Sequence, residues 1–122
     1  MARTNVDLLQ GTLDLIVLKA LSWGPMHGFG LARWIQLTTE DTLQVEEGSL
    51  YPALYRMENR GWIKAQWALT ENGRRAKYYK LTPAGKRQLA AELDAWARMS
   101  HAMGQIVNAR PFGAAQGKRA PA

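Results

Sequence analysis

Three punctuation marks between Gly61 and Pro83 constrain this chain more than any other feature. Gly61 ends one periodic segment, Asn72-Gly73 interrupts a β-prone stretch, and Thr82-Pro83 opens the next periodic segment. Asn and Gly both tolerate positive φ, so Asn72-Gly73 is a strong hairpin signal, and it predicts strands over Trp62 to Leu69 and Ala76 to Leu81. Thr82 offers a side-chain oxygen to cap a helix, and Pro83 is tolerated at the first helical position, where its missing N–H costs little. A hairpin held between two helices is therefore the unit around which the rest must be arranged.

The other elements follow from apolar spacing. Leu9, Leu13, Ile16, Val17, Ala20 and Leu21 share one helical face, and the run stops at Trp23-Gly24-Pro25. A second helix is expected from Gly28 to Thr38, with Leu31, Trp34, Ile35 and Thr38 at helical spacing. Gly28 and Gly30 weaken its first turn while permitting close packing, and His27 reads as the cap or turn residue that opens it. Thr42 to Val45 reads as a short edge strand. From Ser49 to Arg60, Leu50, Ala53, Leu54 and Met57 fall on one face; with Ser49 as N-cap, Pro52 would lie in the first turn. The last helix carries Leu89, Leu93, Trp96, Ser100, Met103 and Val107 in alternating steps of four and three, a heptad seam that calls for a partner. The small, weakly basic run after Arg110-Pro111 is expected to be a disordered tail.

Charge is concentrated. The 122 residues carry a formal net charge of +6, and most of the excess lies between residues 46 and 87. Arg56, Arg60, Lys64, Arg74, Arg75, Lys77, Lys80, Lys86 and Arg87 there outnumber Glu46, Glu47, Glu58 and Glu71. A basic segment of this kind favours a polyanion. Enzymatic chemistry has little to stand on. There is no cysteine, His27 and His101 lack metal-ligand spacing, and Gly28-Phe29-Gly30 lacks the third glycine of a dinucleotide fingerprint. No catalytic residue, cofactor or metal is expected. No apolar run approaches the ~20 residues needed to span a bilayer, so a soluble cytoplasmic protein without a membrane partner is expected.

The predicted fold class is mostly α with a small β-hairpin. It comprises a winged helix-turn-helix over residues 1–81, one long C-terminal dimerisation helix over 82–109 and the tail over 110–122. In such a module the third helix enters the major groove of DNA and the hairpin wing lies against the backbone or an adjacent minor groove. With its stripe inward, helix three would turn Gly48, Tyr51, Pro52, Tyr55, Arg56 and Asn59 outward; Ser49, Tyr51, Pro52, Tyr55, Arg56 and Asn59 are the expected DNA contacts, with Tyr51, Tyr55, Arg56 and Asn59 facing bases. Arg74, Arg75 and Lys77 on the wing would anchor phosphates. A homodimer formed through Leu89, Leu93, Trp96, Ser100, Met103 and Val107 would bind a pseudo-palindromic operator. The alternative is an adaptor that uses the same fold for protein contacts.

Four fragments in order, Leu9 to Asp14, Gly24 to Gly30, Gly48 to Leu54 and Arg75 to Thr82, joined by Gly61-Trp62-Ile63, resemble the PadR family of bacterial transcriptional regulators. The match runs from residue 8 to about residue 107. The resemblance implies a winged helix-turn-helix dimer that usually represses, and that in some members leaves DNA when a small phenolic or drug-like molecule binds. The family's recognition-helix Tyr maps onto Tyr51, its basic wing onto Arg74, Arg75 and Lys77, and the last-helix Trp of its drug-binding members onto Trp96. Trp96 would then either stack on a small aromatic effector or serve as interface core. The chain is similar to the shorter family type.

Overall fold

A computed structural model describes residues 10–112. In chain order it contains α1 (Gln10–Leu21), β1 (Met26–His27), α2 (Gly28–Thr38), α3 (Glu47–Asn59), β2 (Ile63–Leu69), β3 (Arg75–Leu81) and α4 (Pro83–Asn108). The mostly helical class with one small antiparallel sheet is the one the sequence predicts. The chain divides into two compact units, one ending at Glu92 and the other beginning at Leu93.

In the first unit, α1 buries Leu13, Val17, Leu18, Ala20 and Leu21, α2 buries Leu31 and Ile35, and α3 buries Leu50, Ala53, Leu54 and Met57. Ile63, Tyr79 and Leu89 complete the core from the hairpin and α4. The α3 stripe is the predicted one. Leu89 departs from expectation: its spacing predicts a place on the dimer seam, but at 8% exposure it is used in the core of its own unit.

The sheet has the order β1-β3-β2. β3 pairs with β2 from Ile63↔Leu81 to Leu69↔Arg75, and with β1 through Met26↔Tyr79 and His27↔Tyr78. The third strand is thus Met26–His27, and the expected edge strand at Thr42 to Val45 is corrected. Those residues form no strand; instead Thr39 Oγ1 accepts from the Leu43 amide at 3.0 Å. Glu40 and Asp41 turn the chain in the left-handed region, with φ of 51° and 69°, and the Asp41 amide donates to the Gln36 carbonyl at 2.8 Å.

Local chemistry explains the boundaries. His27 caps α2, its Nδ1 accepting from the Gly30 amide at 2.9 Å. Gly61, at φ 78°, ends α3 while the Trp62 amide reaches back to the Met57 carbonyl at 3.1 Å, a Schellman closure that satisfies an orphan carbonyl. In the hairpin turn only Gly73 is left-handed, at φ 80°. Its amide bonds the Thr70 carbonyl at 2.9 Å, and Thr70 pairs with Arg74 across a three-residue loop. Thr82 caps α4 by accepting from the Gly85 amide at 3.0 Å, and its hydroxyl donates to the Gly61 carbonyl at 2.6 Å. One side chain therefore closes both ends of the hairpin segment.

The start of α3 differs from the sequence reading. Ser49 is not the N-cap; the Ser49 and Leu50 amides both bond the carbonyl of Glu46, which is the N-cap, three residues earlier, at 2.9 Å. Glu47 in the first turn complements the helix dipole. Pro52 consequently lies inside the helix rather than in its first turn, and it cannot donate to the Gly48 carbonyl.

Candidate nucleic-acid interface

On α3, Ser49, Tyr51, Pro52, Tyr55 and Asn59 are exposed, opposite the buried stripe. Tyr51, 42% exposed, is the most covered aromatic of that face because its ring rests on α2. A Cβ added to Gly28 would come within 2.5 Å of the Tyr51 hydroxyl and 2.7 Å of ring carbons. The glycine that weakens the first turn of α2 thus makes room for a tyrosine of α3.

Arg56, expected to face bases, turns inward. Its guanidinium forms an ion pair with Asp14 of α1, whose side chain is only 5% exposed. Burial pushes the Asp14 carboxyl above its ordinary range, while the hydrogen bond and charge of Arg56 pull it back down. The buried Nε of Arg56 has no hydrogen-bond partner among the described residues. This geometry makes Arg56 a strut between α1 and α3, and the signal for it, an acid on a buried helix face 42 residues away, is not readable from spacing.

The wing cations divide into two groups. Arg74 and Arg75 are exposed. Lys77 is partly buried, reaching Glu58 of α3 at 3.7 Å and lying 5.7 Å from the centre of the Tyr79 ring. It fastens the wing to α3 as well as adding charge. Tyr79 is buried, and that burial pushes its phenol above the ordinary value, with Lys77 opposing.

Between the wing, α2 and the start of α3 lies an open cleft of about 1220 Å³ whose walls include Gly28, Arg33, Trp34, Tyr51, Trp67, Arg75 and Lys77. Two exposed apolar residues of the wing, Trp67 and Leu69, were missed by the sequence reading. Alternation along β2 puts both on the inner face, past the point where helices cover it. Among the described residues no cluster of His, Cys, Asp or Glu could hold a metal, and no helix is long and apolar enough to cross a membrane.

In the second unit, Leu93, Trp96, Ser100, Met103 and Val107 are all exposed on α4, and Trp96 is 53% exposed. Met99 and Ile106, outside the predicted seam, are exposed as well. The Ser100 hydroxyl donates back to the Trp96 carbonyl at 2.7 Å.

The sequence pattern of the transcriptional regulator PadR-like family matches residues 17–91. A PadR family transcription regulator from Clostridium difficile has a similar structure, with a TM-score of 0.69 and 28% identity, the match covering 79% of this chain and 98% of that one. A PadR-like transcriptional regulator from Bacillus cereus is similar at a TM-score of 0.73 and 26% identity, covering 84% and 97%. An uncharacterized protein X of Lysinibacillus sphaericus is 29% identical over 93 residues, 76% of this chain and 85% of that one.

Proposed function

The chain belongs to the PadR-like family of transcriptional regulators, and from that premise we propose that it is a cytoplasmic homodimeric repressor that binds a pseudo-palindromic operator. One observation supports this most: Tyr51, Tyr55 and Asn59 are exposed on one helix face, and a cationic wing is tied to the same helix through Lys77 and Glu58. Hydroxyl and amide groups on a helix suit base edges in the major groove, and wing cations suit phosphates. In this reading Arg74 and Arg75 are backbone anchors. Ser49 and Pro52 border the contact, and Arg56 acts by holding α3 in place.

Selection of duplexes from a random pool by the full chain tests the reading. The expected result is a two-fold symmetric sequence bound with a steep salt dependence. Arg74→Ala should weaken binding to every duplex alike and make the logarithmic salt slope shallower by about one. Absence of binding to any duplex at about 50 mM salt would remove DNA from the function.

The dimer is proposed to form through Leu93, Trp96, Ser100, Met103 and Val107, with domains of DNA reading and dimerisation meeting within α4. Exposed apolar side chains along the helix from Leu93 support it, since a stripe of this kind is stable when it packs on a partner. Light scattering after size exclusion should give twice the chain mass, and Trp96→Asp should shift the protein to monomer and weaken operator binding by at least tenfold. Monomeric wild type at micromolar concentration would contradict it. A small aromatic effector stacked on Trp96 would act through the same helix.

A further inference from the structure

Trp67 sits on β2 directly opposite Lys77, and Leu69 opposite Arg75. Tyr79, Lys77 and Arg75 alternate along β3 onto the same face, which is buried at Tyr79 and open beyond it. Trp67 is 56% exposed, so burial in the core does not account for an indole there. What it touches does: the Arg75 guanidinium lies over its ring, 5.0 Å from the centre. Arg74, next in sequence, has no ion pair or ring contact among the described residues.

A free cation on a flexible stem serves any phosphate. A guanidinium held over an indole has lost part of its rotamer freedom before binding, and it presents a preoriented charge. A slot of strong negative potential is the target such a group fits best. On duplex DNA that slot is the narrow minor groove of A·T tracts, which attracts arginine through its width. G·C pairs place the guanine N2 amino group on the floor of the same groove.

We propose that the cation–π pair Trp67–Arg75 is a minor-groove reader that gives this protein a preference for A·T-rich sequence flanking the bases met by α3. The inference rests on the DNA-binding reading above, replaces the phosphate-anchoring role given there to Arg75 by groove reading, and adds Trp67 and a specificity; Arg74 keeps the backbone role. Lys77 contributes by tying the wing to Glu58 at 3.7 Å, which fixes where the reader stands relative to α3.

The test uses the full chain and a duplex it has selected, with the central sequence kept and the flanks built from A·T, G·C or inosine·cytosine pairs. Inosine lacks the N2 amino group, so its pairs have the minor-groove floor of A·T while keeping most of the major-groove pattern of G·C. Wild type should bind A·T and inosine·cytosine flanks alike, roughly threefold to tenfold more tightly than G·C flanks. Trp67→Leu and Arg75→Lys should each shrink that preference to less than about twofold, and both should leave the salt slope unchanged because neither alters the charge. Thermal unfolding of both variants should match wild type, since both side chains are exposed. A preference that survives in both variants, or wild-type binding that ignores the flanks, overturns the proposal while leaving DNA binding standing. A chain that selects no duplex at all overturns both.

Discussion

Arg56→Met should lower the stability of the fold by ~3 kcal/mol, read as a shift in the midpoint of urea unfolding at neutral pH. The substitution strands the Asp14 carboxylate, 5% exposed, without its cation, and stripping one partner from a buried pair leaves an uncompensated charge. The Arg56 side chain is itself 25% exposed, which places the effect at the low end for such pairs. The double variant Asp14→Leu with Arg56→Met should recover most of the loss, because a buried pair replaced by apolar groups of similar size is often neutral. If Arg56 instead reads bases, the single variant will unfold like wild type and the double variant will regain no DNA affinity.

The pH dependence follows from the same pair. The folded Asp14 value lies above its ordinary 3.8, so the fold favours the protonated carboxyl. Its contribution to stability is present in full below the ordinary value and is lost as pH climbs through the folded one. Removing Arg56 removes two influences that hold the folded value down, and this widens the window upward. The deficit of Arg56→Met relative to wild type should therefore shrink in acid, as Asp14 takes up a proton, and be largest at neutral pH.

Gly85→Ala is the second change with a large expected effect, roughly 3 kcal/mol of lost stability. A Cβ at this position would overlap the carbonyl oxygen of Trp62 and sit 2.9 Å from its carbonyl carbon. The obstacle is backbone, pinned by the bond from the Thr82 amide to that same oxygen at 3.0 Å, so a rotamer change cannot relieve it. Gly48→Ala is the matched control. Its Cβ would meet nothing within 4 Å, and Ala has the better helix propensity, so stability should hold or rise by a few tenths of a kcal/mol. Equal effects of the two substitutions on thermal unfolding would show that the first turn of α4 is free to move off Trp62.

Features set by neighbours in sequence were the legible ones. The hairpin, the Thr82-Pro83 start of α4, the extent of α2 and its His27 cap each depend on residues within a few positions of one another. Features set by distant partners were not. Two residues at Met26–His27 carry no strand signal of their own; they pair because the turn before α2 brings them to the free edge of β3. Thr42 to Val45 has strand-like residues, but the second edge of β3 is taken by Met26–His27. Ser49 has the chemistry of a cap, yet the Glu46 carbonyl starts the helix first. At the site, the outward face of α3 was readable from its apolar stripe, whereas the inward turn of Arg56 required knowing where Asp14 lies. Leu89 obeys the heptad and the core alike, and only the packing of α4 on Ile63 and its neighbours assigns it to the core.

Pro52 bears on how α3 responds to load. With no N–H at that position, the Gly48 carbonyl lacks the bond that a regular second turn would give it, so the leading end of the helix is held by fewer springs. The trailing end is held by Arg56 on Asp14, by the backbone closure from Trp62 to Met57 and by Lys77 on Glu58. Stiffness is therefore graded along a single helix. Amide protons near Tyr51 are therefore expected to exchange faster than those near Asn59, which hydrogen exchange would read directly.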